Sequence, residues 1–505
     1  MREPDVLHAA TAAAIRVAEE EPLRREGEAA LMDRAAAAVA SRAREMLGTR
    51  GVDPGSAVVA VLVGRGNNGG DALLAGAALA RDGAIVTALL VGPAAHPRGS
   101  EFLLGAGGIL VSEADAAART DVVAEADLVI DGIVGLGASP GLRGVAVDLV
   151  AAIPERTLVL AVDLPSGLDA DGASDDARHV AADATVSFTA PTACVLLPPA
   201  ARFAGRVTVV DVGIPAPDPE PGAARRMTPA GVGSRWPIAR ADDHKYSRGT
   251  VGVVAGSDSY PGAAILATTA AVRSGAGLVR YVGPRRVQDL VLAARPEVVV
   301  AEPTDDLPRV DAWVLGPGVA NDETQEAAVS AALASALPCV VDAGAIVACV
   351  KDRLANQRSP ASSILLTPHA GELRAALAAA GREATSEEIA RDPVGYAATL
   401  ARTASVTVLL KGAVTVVVGP DGQPWSEAEA PPWLATGGAG DVLAGIAGAL
   451  LAAGLPADEA GAMAAVIHGR AADLASRGGP IAALDVADAL GLTAAALGEA
   501  IAGVL

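Results

Sequence analysis

A handful of carboxylates, amides and hydroxyls set among glycines are the groups in this chain best placed to do chemistry. The segment Val61-Leu-Val-Gly-Arg-Gly-Asn-Asn-Gly-Gly-Asp71 runs from an apolar stretch into a glycine turn and then toward a helix. Glycines let backbone approach a ligand closely, and the amides that open a helix attract phosphate. The spacing is neither G-x-x-x-x-G-K-[ST] nor a clean G-x-G-x-x-G, so neither a Walker loop nor an ordinary dinucleotide fingerprint follows. Further on, Ile130-Asp-Gly-Ile-Val-Gly-Leu-Gly-Ala-Ser-Pro-Gly-Leu-Arg143 puts Asp131 at the end of an apolar run, and Ala161-Val-Asp-Leu-Pro-Ser-Gly-Leu-Asp169 does the same for Asp163 and Ser166. In an open parallel sheet such strand ends face one crevice, so Asn68, Asp131, Asp163 and Ser166 can converge. Oxygen donors without histidine or thiolate suit a hard cation, not zinc.

A second constellation lies in the back half. Thr436-Gly-Gly-Ala-Gly-Asp-Val-Leu-Ala-Gly445 opens a long helix with small residues followed by a carboxylate. Consecutive N–H groups at that terminus can cradle a phosphoryl group as charge develops, and Asp441 can take a proton from a substrate hydroxyl. Four segments accompany it: His244 to Ala264, rich in serine and glycine, Leu315-Gly-Pro-Gly318, Leu366-Thr-Pro-His-Ala-Gly-Glu372, and Leu410-Lys-Gly-Ala-Val-Thr415. The chain has only three lysines, Lys245, Lys351 and Lys411, among 39 basic residues. Two of them fall inside these motifs, as phosphate handling by a compact point charge requires. Plainer roles stay open at several positions: Asp163 capping its turn, His369 capping a helix beginning near Gly371, Lys411 as a strand-end charge, Asp342 ending a strand. His468, on an apolar Ala/Met helix, reads as packed core.

The elements that must hold these groups follow from periodicity. Residues 1 to 50 read as helix, with Leu31, Ala35, Ala38, Val39 and Met46 at helical spacing. Short apolar runs then alternate with Ala-rich stretches: 58–63, 85–91, 128–130, 157–162, 184–188 and 207–212, and again 250–255, 278–282, 312–315, 339–342, 364–366, 406–410 and 414–418. Continuous apolar strands alternating with helices mean mostly parallel sheets covered on both faces. Between the two sets lies Pro215-Ala-Pro-Asp-Pro-Glu-Pro-Gly222, which neither helix nor strand absorbs. The expected organisation is a domain over 1–215, a linker over 216–226 and a domain over 227–505.

Composition narrows the classes further. The chain has 505 residues, too many for one ordinary core, and 39 Lys+Arg against 59 Asp+Glu give a net charge of −20, which argues against nucleic acid or anionic membrane as partner. With only 3 Phe, 4 Tyr and 4 Trp the core must be built from small aliphatics. Despite a mean hydropathy of +0.39, the best apolar run, Val442 to Pro456, is shorter than the roughly 18 residues a membrane span needs. The N-terminus lacks an apolar signal core, and Cys194, Cys339 and Cys349 show no metal or redox spacing, so a reducing cytoplasm is expected.

Taken in order, N-N-G-G-D, D-G-I-V-G-L-G and V-D-L-P-S-G-L-D resemble the NAD(P)H-hydrate epimerase domain, over roughly residues 1–215. The back-half motifs resemble the ADP/ATP-dependent NAD(P)H-hydrate dehydratases of the ribokinase-like superfamily, over about 227–505. The resemblance implies a Rossmann-like three-layer α/β/α domain followed by a ribokinase-like α/β domain. It implies potassium on Asn68, Asp131 and Ser166. Hydrate contacts would come from Asn67, Asn68, Gly69, Gly70 and Asp71, from Gly135, Leu136, Gly137, Ala138, Ser139, Pro140 and Gly141, and from Asp163 as the proton shuttle. In the second domain Ala263, Gly318 and His369 would meet the hydrate, Lys411, Gly412, Ala413, Val414, Thr415 and Gly440 the nucleotide, and Asp441 would be catalytic. Expected partners are NADHX, NADPHX and ADP with Mg2+, and further copies of the chain. Two positions depart from the pattern: Ala72 stands where glycine is usual and Thr192 where lysine is common. Two rival readings are a hydroxymethylpyrimidine- or thiazole-type kinase with an unrelated front domain, and a non-catalytic nucleotide-binding protein.

Overall fold

The computed structural model describes residues 4–137, 139–303, 306–319, 323–356, 363–428 and 430–502. They form two compact units, one spanning His8–Ala223 and one combining the residues up to Leu7 with those from Ala224 onward.

The first unit holds a seven-stranded parallel sheet. Its spatial order is Ile109–Val111, Ile85–Leu90, Val58–Val63, Leu128–Gly132, Leu158–Val162, Ala184–Phe188 and Arg206–Val210. Counted along the unit, that is the doubly wound order of the Rossmann fold, with its switch point between Val58–Val63 and Leu128–Gly132. Alternation along each strand divides the apolar side chains between two faces. Val59, Val61 and Val63 pack with Val39, Ala43, Leu73 and Leu79 of the helices Glu28–Thr49 and Asn67–Asp82, whereas Ala60 and Leu62 pack with Leu89, Val129 and Leu149 on the other face. Each fully buried Val or Leu stabilises the unit by about 1.5–3 kcal/mol. The expected runs 58–63 and 184–188 match strands to the residue, whereas Ile109–Val111 was not anticipated. It is three residues long and starts with an exposed Ile109, too short for a period to show.

The second unit holds an eleven-stranded sheet. From one edge, Val299–Ala301, Leu278–Val282, Thr250–Val254, Ala312–Leu315, Cys339–Val341, Ile364–Leu366 and Thr407–Leu410 run parallel. Thr415–Val418 and Pro424–Glu427 then pair antiparallel, and Arg225–Met227 and Val6–His8 complete the far edge. The expectation of helix throughout 1–50 is therefore corrected at Val6–His8: an edge strand of three residues carries no local signal against an Ala-rich background. Helices cover both faces. Val251, Val253, Val314 and Leu409 face Ala267, Leu443, Ile446 and Met463, while Val254, Leu315, Val341 and Leu410 face Ile346, Leu373 and Leu400. The scarcity of aromatic side chains is met by close backbone approach. A Cβ placed on Gly445 would lie 2.4 Å from the Ala267 carbonyl oxygen, so the helices Pro261–Arg273 and Ala439–Ala452 meet where neither has a large side chain. Among the described residues no helix is long and apolar enough to cross a membrane.

Candidate functional site

In the first unit the carboxyl ends of the strands open into a cleft of about 170 Å³, lined by Asn67, Asn68, Asp71, Leu136 and Asp163 together with Arg16, Glu19, Glu28, Met32 and Phe188. Asp163 sits at the centre of an unusual backbone. Its φ is +73°, and the Leu164 N–H donates to the Val162 carbonyl at 3.0 Å, a three-residue γ-type turn of the rare hand. Such a conformation costs roughly 1–3 kcal/mol and persists only when its surroundings over-determine it. Here they do: the Asp163 N–H donates to Val186 O at 2.7 Å, and the Ser187 hydroxyl donates to Asp163 O at 2.6 Å. The turn aims the carboxylate at the cleft.

Burial pushes Asp163 up to about 7, against the opposing effect of hydrogen bonds from Asn68 and the Leu136 N–H, and nearby Glu19 pushes the same way as burial. Asp71 is raised well above the ordinary carboxylate range by burial and by Asp163, Glu28 and Glu19. Two carboxyl groups lining one cleft, both raised by burial, make a proton-transfer site.

Beneath them lies a set of oxygens. The Asn68 amide donates to Val162 O at 3.0 Å and Val134 O at 3.3 Å; the Ser166 hydroxyl reaches Asp131 Oδ1 at 2.7 Å and Val134 O at 3.3 Å. Asp131 is fully buried and raised to about 6 by that burial, although Ser166 and the Ile133 N–H donate to it. Asn68 and Ser166 thus meet at the Val134 carbonyl, and Asp131 joins them through Ser166. Turning the Asn68 amide over would present its oxygen to the same spot. This donor set fits a hard cation of low charge.

The remaining positions expected here fall differently. Gly69 and Gly70 are buried packing positions: a Cβ on Gly69 would lie 2.1 Å from Gly64 O, and one on Gly70 would lie 2.3 Å from Met32 Cε. Gly135 leaves room for Asn68, since a Cβ there would sit 2.5 Å from Nδ2, and a Cβ on Gly137 would approach Arg16 to 3.2 Å. Gly141 has a φ of +93° and donates to Gly167 O at 2.9 Å. Ser139 and Pro140 are exposed and do not line the cleft; Ala138 lies outside the described residues. Arg16, Glu19 and Phe188 were missed. An amphipathic helix carries no local sign that it will cover a site; the Arg16–Leu136 O bond at 2.7 Å and the cleft lining reveal helix Ala12–Glu26 there.

In the second unit the groups gather around Asp342, which the sequence left between two roles. The Lys411 ammonium donates to Asp342 Oδ1 at 2.9 Å and lies 3.6 Å from Glu372 Oε2, and the Thr367 hydroxyl donates to Asp342 Oδ1 at 2.8 Å. Helix Ala439–Ala452 begins beside this pair: a Cβ on Gly440 would be 3.3 Å from Lys411 Nζ and 3.8 Å from Asp342 Oδ2. Its N-cap, Gly438, has a φ of +89°, which glycine adopts without strain. Asp441, in the first turn, is raised to about 6 by burial and by Asp342, against the pull of Lys411. A cation, an open helix terminus and a half-buried carboxylate therefore share one place.

Backbone extends this centre to the loop expected to meet substrate. A Cβ on Gly316 would lie 2.1 Å from Asp342 O, and one on Gly318 would lie 2.6 Å from Ala263 Cβ. Lys411, Gly412, Ala413 and Val414 lie at and after the end of strand Thr407–Leu410, before Thr415, with Gly412 and Ala413 exposed and Val414 buried. His369 caps the helix Ala370–Ala379, its Nδ1 accepting from the Gly371 N–H at 2.9 Å, with the ring exposed. It pairs along the backbone with Lys411, so capping and a place at the cleft edge are compatible. His468 is buried, with Nε2 unpartnered, and burial lowers it to about 4, leaving a neutral packed ring. Among the described residues no three His, Cys, Asp or Glu side chains form a group able to hold a metal.

Two family models match the chain: "YjeF-related protein N-terminus" over residues 28–194 and "NAD(P)H-hydrate dehydratase" over residues 251–490. The bifunctional NAD(P)H-hydrate repair enzyme of Mycobacterium leprae is 41% identical across 93% of this chain and 94% of its own length. That of Mycobacterium tuberculosis is 40% identical across 89% and 90%. A solved structure, the ADP/ATP-dependent NAD(P)H-hydrate dehydratase from Bacillus subtilis, is 29% identical over 54% of this chain and 97% of that one, with a TM-score of 0.47.

Proposed function

The chain belongs to the family of bifunctional NAD(P)H-hydrate repair enzymes, and from that premise we propose that residues 1–215 and 227–505, joined by 216–226, each carry one half of the repair. The first half interconverts the R and S hydrates; the second dehydrates the S form to NAD(P)H while ADP yields AMP and phosphate.

The observation that carries the reading is the pairing of a raised carboxylate with a different environment in each half. In the first, Asp163 is held near neutrality in a cleft. A group poised there can take and return a proton as C6 is inverted. Asn67, Asn68, Asp71 and, from the loop Gly135–Gly141, Leu136 bound the hydrated ring. Potassium on Asn68, Asp131 and Ser166 would fix the geometry of the loops that meet there.

In the second, hydroxide is a poor leaving group, and phosphorylating the C6 hydroxyl makes it a good one. Asp441 takes the hydroxyl proton, the amides from Gly438 to Gly440 receive the migrating phosphoryl charge, and Lys411 holds the nucleotide phosphates. Ala263, Gly318 and His369 bound the hydrate. Mg2+ arriving with the nucleotide would supply charge neutralisation of its phosphates beside Lys411. Elimination of phosphate restores the ring double bond.

The same reading extends to a cytoplasmic homo-oligomer acting on NADHX and NADPHX. For the compartment the support is three buried free thiols, which suit a reducing environment. The vitamin-precursor kinase and scaffold readings are set aside, because relatives match front and back halves together across most of the chain. The test is a mixed R/S NADH hydrate given ADP, ATP or neither, followed by near-ultraviolet absorbance. Recovery of both epimers with ADP is expected; recovery of neither would overturn the reading.

A further inference from the structure

Asp71 has no role in the scheme above beyond bounding the ring, yet it is the most anomalous side chain in the cleft. It lies one turn into helix Asn67–Asp82, is 6% exposed, lines the cleft, and its Oδ1 has no hydrogen-bond partner. The polar groups beside it are occupied. Asn68 donates to two carbonyls, Asp163 accepts from Asn68 and Leu136, and Arg16 donates to Leu136 O. A residue serving only to pack the helix would not leave a carboxylate oxygen buried with no protein partner.

We propose that Asp71 is the second acid–base residue of epimerisation, giving the proton to the hydroxyl that leaves C6 while Asp163 accepts the proton of the water that replaces it. This rests on the epimerase reading of the first half. The charged groups facing Asp71 are Asp163 at its strand end, Glu19 and Arg16 on helix Ala12–Glu26, and Glu28 on helix Glu28–Thr49. Burial and the three carboxylates favour its protonated form, so donor and acceptor coexist in one pocket.

The step balances. Asp71 protonates the C6 hydroxyl, the C6–O bond breaks with its electron pair going to oxygen, and water departs. The N1 lone pair then forms the N1–C6 double bond, leaving a planar iminium. Water adds to the other face of C6 and gives a proton to Asp163, and one proton returns through solvent from Asp163 to Asp71. The alternative, ring opening, begins by forming an alkoxide. A pocket whose lining sets the four carboxyl groups of Asp71, Asp163, Glu19 and Glu28 against the single guanidinium of Arg16 favours the cation over the anion.

The full-length protein is tested with NADH hydrate in H2(18)O, with spontaneous exchange subtracted. One solvent oxygen gained per inversion is expected; inversion that retains the substrate oxygen overturns the departure route. Asp71→Asn should lower interconversion by about 10²-fold or more and abolish the high-pH fall of the wild-type rate, whereas Asp71→Glu should restore part of both. ADP-dependent dehydration of the S epimer by the same preparations reports that each variant is folded. Asp71→Asn at the wild-type rate would overturn the proposal, as would an Asp71→Glu variant that rescues neither rate nor profile. Absence of any interconversion in the wild-type protein would instead sink the epimerase assignment itself.

Discussion

Asp163 and Asp441 are the same side chain raised above its ordinary range in both halves, by burial first of all, yet their neighbours differ. Asp163 stands in a strained turn with further carboxylates nearby and reaches about 7; Asp441 stands in the first turn of a helix within the influence of Lys411 and stops at about 6. The difference matches two kinds of proton chemistry. A group that must give back what it takes is best held near the working pH, whereas one that takes a proton as a phosphoryl group arrives benefits from a cation that also holds the phosphate.

The contrast breaks most sharply by deletion. Asp441→Ala should reduce dehydration by about 10²–10⁴-fold while R/S interconversion survives, and Asp163→Ala should do the reverse, leaving only the S epimer repaired. Chromatographic separation of the epimers beside NADH absorbance reads both; loss of both activities in either folded variant would defeat the two-site assignment. A smaller effect is expected from Lys411→Met, which leaves Asp342 buried without its cation. Losing a charged hydrogen bond is worth about 1.5–3 kcal/mol, so ADP-dependent turnover should fall roughly 10- to 150-fold with interconversion unchanged.

The pH dependence sharpens the same comparison. Each carboxylate acts as a base only when ionised, and each is ionised only above its raised value. Interconversion should therefore fall as pH drops through about 7 and dehydration only as pH drops through about 6. Rate profiles that coincide would erase the difference. The mildest change is Gly445→Ala. Its methyl would meet the Ala267 carbonyl at 2.4 Å, and overpacking of this kind costs about 1–3 kcal/mol. Thermal unfolding should show a lower Tm for the second unit, with epimerase activity intact.

Much of this architecture was legible because the signals are local. Val58–Val63 and Leu278–Val282 are unbroken apolar runs between turn residues, and their bounds match those expected. The strand-end carboxylates Asp131 and Asp163 and the helix-start carboxylate Asp441 stand out because glycine and proline mark the turns that present them. Pro424–Glu427 did not show. A buried strand beginning with proline and ending with glutamate has the composition of a loop, and only its pairing with Thr415–Val418 on one side and Arg225–Met227 on the other makes it a strand.

The sequence by itself therefore determined two α/β units, their strand ends and the carboxylates placed there, because period and turn chemistry act over a few residues. Tertiary structure alone decided what those carboxylates are. Lys411 reaches Asp342 across 69 residues of chain, helix Ala12–Glu26 contributes Arg16 and Glu19 to a cleft whose motifs begin some 40 residues later, and the buried Oδ1 of Asp71 is left without a hydrogen-bond partner. Desolvation and pairing depend on which distant atoms crowd a group, and no spacing in the chain encodes that.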